Sequence, residues 1–427
     1  MVQSTHSEVQ NSAMQRDSFL KVLAKEARIR HCCCKRSVAF LFMLACSVFC
    51  LSSATAEPHP ISWEKESLPA GGAKGFVELA NGDLLVTRTM REQQATKIIC
   101  SKSQNGGRTW QAFSTIVRDE TPEIDIGDGH LIELRDRTIL YSYRRNVYRG
   151  SATNQPRYQI LVAVSRDGGA SWASHSTVKS VHAQKGEVRG LWSSALHQRQ
   201  DGTLLCFYDD EDEAWRAGFK RHQWLMMKRW DVQASAWTTP VIVSRAFNCK
   251  HLSRDGMPSV VELQGNTLLC ALESVATEKP HHNVIRIVKS CDGGNTWSWQ
   301  MFERQILYAP AKRHFSAVSP WLSQMKDGCL LCAFATEEDR DTPATSGAAI
   351  KAMNRDIKYV LSIDAGMTWT QRAMPIAAET HTTYMPQMEQ LRHPRHTNAF
   401  LCLYLDTVLG FRCRRGYASV ASHEHAQ

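Results

Sequence analysis

Ser290-Cys291-Asp292-Gly293-Gly294-Asn295-Thr296-Trp297 lies well inside a 427-residue chain, and the same pattern stands there three more times. The other copies are Ser103-Gln104-Asn105-Gly106-Gly107-Arg108-Thr109-Trp110, Ser165-Arg166-Asp167-Gly168-Gly169-Ala170-Ser171-Trp172 and Ser362-Ile363-Asp364-Ala365-Gly366-Met367-Thr368-Trp369. Each reads as a hairpin turn: the Asp or Asn side chain can accept from backbone N–H groups further along, and glycines supply positive φ. The Trp offers a large apolar anchor. The copies recur at roughly 60 to 70 residues or about twice that, which marks a repeated β unit.

Between the turns runs a second repeat of the form apolar strand, polar turn, apolar strand, at residues 76–87, 131–143, 195–208, 260–272, 321–334 and 388–404. Its apolar doublets are Leu84-Leu85, Ile139-Leu140, Leu204-Leu205, Leu268-Leu269, Leu330-Leu331 and Phe400-Leu401. They return about every 55 to 70 residues, the length of a four-stranded propeller blade. The expected fold is therefore all-β: a six-bladed β-propeller of four-stranded antiparallel blades. The third blade keeps a worn turn, Asp231 to Trp237, and the last has lost it. An open ring would leave unpaired edge backbone, so closure is expected, with segment 61–68 as the outer strand of the last blade beside strand 411–420.

Ahead of the repeats, Lys35 and Arg36 precede an apolar run over 38–51 and the small-residue triplet Ala54-Thr55-Ala56. This reads as a secretory signal cleaved after Ala56, and the run is short for a membrane span. A start at Met14 and a lipid anchor at Cys46 are alternatives. The expected organisation is a signal region with an extended N-terminus over 1–56, a propeller over 57–421 and a tail over 422–427. The mature protein is expected to be secreted or periplasmic, not inserted in a membrane, and monomeric. Cys206, Cys270, Cys332 and Cys402 hold equivalent places on second strands, where Cys serves as a small buried apolar residue. The Cys329 and Cys332 pair has no second pair at metal spacing, so no metal and no cofactor are expected. A net charge of +9 favours anionic ligands. No basic run interleaved with aromatics points to nucleic acid.

The turn motif and blade count together resemble the sialidase superfamily over residues 61–420, where such Asp-box turns mark six-bladed exo-glycosidases. The resemblance places the turns on the face opposite the active site. Chemistry is then expected at the other face, where first strands start and second strands end. The starts offer Lys74, Asp128, Arg189, Arg254 with Asp255, Arg313 and Tyr384; the ends offer Arg88, Tyr143 with Arg144, Asp209 with Asp210, Glu273, Glu337 and Asp406. Solvated loop charge accounts for any one of these, but less well for all six blades converging.

The resemblance implies Tyr384 as nucleophile, Glu273 as its base and Asp128 as acid/base, with Asp125 a rival for the last role. A neutral phenol suits a substrate whose own carboxylate would repel an anionic nucleophile. Sialidases also clamp that carboxylate with three arginines. Here Lys74-Gly75-Phe76 stands where an Arg is expected, leaving Arg286 and Arg313 as candidate partners. Arg88, Arg144, Arg254 and Asp255 complete the expected substrate-binding set, and the expected partner is an oligosaccharide or glycoconjugate. Exo-arabinanase propellers are also similar: Arg254-Asp255-Gly256-Met257-Pro258 resembles their fourth blade and Gly190-Leu191-Trp192 their third. Ser193 stands where those enzymes carry a carboxylate. A sugar-binding propeller without catalysis is the contrary reading.

Overall fold

A computed structural model of the chain describes residues 61–418 except 149–155, 185, 188, 251, 276–282, 301–303, 342–354 and 371–381. The expected signal region 1–56 and the tail 422–427 lie outside the described residues.

Each repeated strand pair forms the inner two strands of a blade, and there are six. The pairs are Lys74–Glu78 with Leu84–Arg91, Ile124–Glu133 with Ile139–Val147, and Leu191–Gln198 with Leu204–Asp210. Then follow Arg254–Leu263 with Thr267–Val275, Ala317–Gln324 with Leu330–Thr336, and Thr383–Gln390 with Ala399–Asp406. All six pair antiparallel. Blades one, two and four have four strands; blade three adds an extra outer piece, and blade five shows three among the described residues.

The apolar doublets explain how the blades cohere. Successive residues of a strand point to opposite faces, so one member of each doublet packs against the preceding blade and the other against the next. Leu84 joins the core between blades six and one, and Leu85 the core between one and two. Ile139 and Leu140, Leu204 and Leu205, Leu268 and Leu269, Leu330 and Leu331, and Phe400 and Leu401 divide in the same way. The result is six hydrophobic cores, each made by two blades. Cys206, Cys270, Cys332 and Cys402 are wholly buried in these cores, as apolar filler.

The four quoted turns adopt one structure. In each, the Ser hydroxyl accepts the second glycine's N–H at 2.8–2.9 Å, and the Asp or Asn oxygen accepts the Thr or Ser N–H at 2.8–2.9 Å. The second glycine has φ between 84° and 90° and abuts the preceding blade. A Cβ at Gly169 would meet Leu85 at 3.0 Å, and one at Gly366 would meet Leu269 at 2.9 Å. Each turn follows the third strand of its blade, so antiparallel pairing puts it at the end opposite the starts of the first strands.

The ring closes as expected. Ile61–Trp63 pairs with Gly416 to Ala418, and Leu68–Pro69 with Arg412 and Cys413, along the strand Gly410–Ala418 of blade six. A belt of inter-blade bonds runs around the turn-bearing end. Glu133, Gln198, Glu262, Gln390 and Glu78 accept the backbone N–H of Ala80, Arg135, Gln200, Lys326 and Arg392, each from the preceding blade, at 2.5 to 3.0 Å.

Candidate active site

The first strand of every blade carries a β-bulge near its start. The register slips between Lys74 and Val77, Gly127 and His130, Leu191 and Ser194, Gly256 and Ser259, Val318 and Trp321, and Tyr384 and Gln387. In five blades the slip includes a residue of positive φ: Gly75, Asp128, Met257, Ser319 and Met385. Pro258, Pro320 and Pro386 come next in three of them, where a missing N–H removes no ladder bond. A bulge bends its strand and re-aims side chains. Six at equivalent points build an axial cavity lined by Lys74, Asp128, Ser193, Met257, Ser319 and Met385 among others.

Second-strand carboxylates reach across the seams to the N–H groups these bulges present. Glu273 of blade four accepts the Ser319 N–H of blade five at 2.8 Å. Asp209 of blade three accepts the N–H of Ser193 and of Met257, each at 3.2 Å on Oδ2, while its Oδ1 is buried without a hydrogen-bond partner. Burial raises the Asp209 carboxyl to about 8; the Glu273 charge adds to the rise, and the two N–H bonds and Lys74 oppose it. Glu273 is raised by burial too, against the Ser319 N–H and the cations Arg355, Lys74 and Arg254.

Tyr384 enters from blade six. Burial and the Glu273 charge raise its phenol, while Ser319, Arg355 and Arg144 act in the opposite direction. The Arg355 guanidinium lies 5.7 Å from the Tyr384 ring centroid and is buried against Glu337, to which its Nε donates at 3.2 Å. Tyr384 and Glu273, more than a hundred residues apart, thus share one electrostatic environment with Ser319 between them. The Tyr384 phenol lies within electrostatic reach of one carboxylate, Glu273, and of the Arg355 guanidinium.

On the blade-two side, Arg144 grips both acid/base candidates. Its Nε and Nη2 fork onto Asp125 at 3.0 and 3.1 Å, and its Nη1 donates to Asp128. Lys74 Nζ lies 3.4 Å from the other oxygen of Asp128, and the Tyr148 hydroxyl donates to Asp125 at 2.6 Å. Lys74 is lowered to about 8, by burial first and then by Arg144, against the pull of Glu273 and Asp209.

The remaining expected residues fall elsewhere. Arg254 pairs with Glu211 at 2.6 Å and Gln223 at 3.0 Å on the three–four seam, within electrostatic reach of Glu273. Asp255 is no wall of the cavity: it is wholly buried, accepting from the hydroxyls of Ser244, Ser253 and Ser274 and from Arg304. Adjacent strand residues alternate in facing, and Arg254 and Asp255 do so. Arg286 lies on the third strand, Asn283–Ser290, opposite Leu272, and its Nη1 donates to the Arg304 carbonyl. Two strand spacings separate it from the inner strand. Arg313 is exposed in the loop before blade five's inner strand. Arg88 shares a strand face with Leu84 and Val86 towards blade six, with a buried Nε that lacks a hydrogen-bond partner. The arginine that does approach Glu273 and Tyr384 is Arg355, at the start of blade five's third strand, Asp356–Ser362.

Buried Asp209 and half-buried Lys74 give stability a distinctive pH profile. Folded Asp209 keeps its proton to about pH 8, whereas unfolded Asp releases it near the ordinary 3.8. In that window the folded chain binds more protons, so stability falls as pH rises, by up to about 1.4 kcal/mol per unit from this group. Lys74, lowered from 10.5 to about 8, works the other way above pH 8, where the unfolded chain binds more protons. Their combined contribution has its minimum near pH 8. Asp209→Asn is expected to flatten the falling limb and leave the rising one, which melting curves from about pH 5 to 10 would show. Parallel profiles for the two proteins would count against a protonated Asp209.

No protein-family model matches the chain, and no curated protein is similar to it in sequence. Solved structures share its fold. The GH93 α-L-arabinofuranosidase of Fusarium graminearum, in complex with arabinobiose, is similar with a TM-score of 0.57 and 16% identity, covering 84% of this chain and 95% of that one. For the α-L-arabinanase of Penicillium chrysogenum, also with arabinobiose, the values are 0.53, 17%, 84% and 97%. For NanB sialidase from Streptococcus pneumoniae they are 0.51, 12%, 87% and 71%. At these identities the likeness establishes the six-bladed fold.

Proposed function

We propose that this chain is a glycoside hydrolase that removes a terminal sugar bound in the axial cavity, with Tyr384 as nucleophile and Glu273 as its base. The observation that carries the reading is the meeting of Glu273, Tyr384 and Arg355 from three blades at one end of the axis. In the first step the Tyr384 Oη forms a bond to the anomeric carbon while its proton passes to Glu273. The glycosidic C–O bond breaks, and its oxygen takes a proton from a carboxylic acid at the cleft. Water then attacks the same carbon while giving a proton to that now-ionised carboxylate, and the bond to Tyr384 breaks as its Oη takes its proton back from Glu273, so configuration is retained. Lys74, Arg144 and Arg355 supply positive charge for an acidic sugar. The reading includes a secreted or periplasmic, monomeric protein.

A second reading is favoured by one observation. Asp209, with its proton held to about pH 8, lies against the backbone of Ser193, where the arabinanase-like propellers carry their acid. There Glu273 would be the nucleophile, Asp209 the acid and a neutral furanoside the substrate; two of the similar structures hold arabinobiose.

Leaving-group dependence separates the two. Replacing the true acid slows substrates with poor leaving groups by about 10² or more, and leaves activated aryl glycosides nearly untouched. The first reading expects this of Asp128→Asn and the second of Asp209→Asn, assayed on aryl sialosides and arabinosides beside their alkyl counterparts. No turnover of any member of a broad glycoside panel by the unaltered mature chain would defeat both.

A further inference from the structure

We propose that the seam between blades six and one, at the turn-bearing end away from the axial cavity, binds a tetrahedral oxyanion: phosphate or sulfate, free or carried as an ester on a sugar. A cavity of about 320 Å³ opens there, lined by Gln104, Asn105, Arg108, Arg395, His396 and Arg415 among others. Arg415 rises into it from the strand Gly410–Ala418 and is only 6% exposed, yet its Nε and Nη1 have no hydrogen-bond acceptor. Buried guanidinium N–H groups without acceptors are costly, and an oxyanion is their natural complement.

The surrounding charge points the same way. Glu64 is divided among Arg108 Nη2 at 3.5 Å, Arg415 Nε at 3.8 Å and the Tyr417 hydroxyl at 3.1 Å. Asp83 is divided between Arg395 at 2.7 Å and Lys102 at 2.9 Å. With Glu78, 3.9 Å from His396 Nε2, four cations face three carboxylates, an excess of positive charge that favours a bound oxyanion.

The seam between blades three and four holds a similar arginine, Arg199, whose Nη groups have hydrogen-bond partners although its Nε has none. A Cβ at Gly293 would meet the Arg199 guanidinium at 2.8 Å, just as one at Gly106 would meet Arg415 Nη1 at 2.8 Å. There, however, Arg199 donates to Asp201 at 2.6 Å and to Asn266 at 3.0 Å, and Glu262 stands 3.4 Å from its Nε. At the six–one seam Nη1 has no such partner. The turn residue that could reach over the cavity is also distinctive: Arg108 stands where the other copies carry Ala170, Asn295 and Met367.

Calorimetric titration of the mature Tyr384→Phe protein with inorganic phosphate, inorganic sulfate and glucose 6-sulfate, at constant ionic strength, tests the site independently of any hydrolysis. The expected result is saturable binding of one equivalent. It should weaken at least about tenfold in Arg415→Met and several-fold in Arg108→Ala, and stay unchanged in Arg355→Met at the axial cavity. Tighter binding of the sugar sulfate supports the site with an ester as its ligand; equal binding supports it with the free anion. Should Arg415→Met fail to fold, Arg108→Glu, at a half-exposed position, must abolish binding. Affinity that survives Arg415→Met or Arg108→Glu overturns the proposal. So does affinity lost in Arg355→Met, which would put the anion in the axial cavity, or a non-saturating titration matching an adventitious ion only.

Discussion

Tyr384→Phe is expected to lower kcat on the best glycoside found by about 10³ or more while leaving the melting temperature close to that of the parent, because only the hydroxyl is lost and the ring still fills its place. Glu273→Gln should do comparable damage, since a phenol ordinarily titrating near 10, and raised further here, is a poor nucleophile without a base. KM should move far less than kcat in both variants, because neither group is asked to hold the ground state. Burst kinetics and trapping with a fluorinated glycoside that carries a good leaving group and is slowly deglycosylated would show whether a covalent adduct forms on Tyr384. Full turnover by Tyr384→Phe together with loss in Glu273→Gln would shift the assignment to the two-carboxylate reading. Full turnover by both would end the glycosidase reading at this site.

The second large effect belongs to the ring's seam. Deleting residues 61–69 removes the partner of the strand Gly410–Ala418, including the Ile61–Ala418, Trp63–Gly416 and Leu68–Cys413 pairings. It also removes Ile61, 2% exposed in the five–six core, and the Trp63 ring 6.3 Å from Tyr359. The loss should exceed about 5 kcal/mol, more than many domains can spare, and the bared edge should template aggregation. Light scattering with thermal melting checks this. A deletion protein that stays monodisperse and melts like the parent would show that closure contributes little.

Much of the fold was legible because it depends on periodic features. Turn chemistry recurs at fixed offsets, and an apolar doublet such as Leu268-Leu269 needs no long-range information to announce a strand buried on both faces. Residues of the axial site were legible only where they sit on those repeats, as with Glu273 at the end of a second strand and Tyr384 at the start of a first. Asp255 reads like a site residue because it follows Arg254, yet strand alternation turns it into the blade. Arg355 starts a third strand, outside the two positions the repeat brings into register, so nothing local set it apart. Asp209 was visible as a strand-end acid, but its raised carboxyl depends on burial and on the Glu273 charge from another blade. Side-chain surroundings of that kind come from the closed ring and not from neighbours in sequence.

The sharing of every core between two blades bears on how the molecule comes apart. A blade detached from the ring would forfeit not one core but both of those its doublet divides, so no blade is an autonomous folding unit. In a linear array, disorder can start at a free terminus and creep inwards repeat by repeat. Here the last blade is held by the first segment of the propeller and the row has no free end. The circle thus converts a set of nearest-neighbour interfaces into one all-or-none object, and partial opening of any blade is penalised twice. The axial cavity draws its rigidity from the same source: six strand starts hold their relative positions because none can loosen without loosening its neighbours.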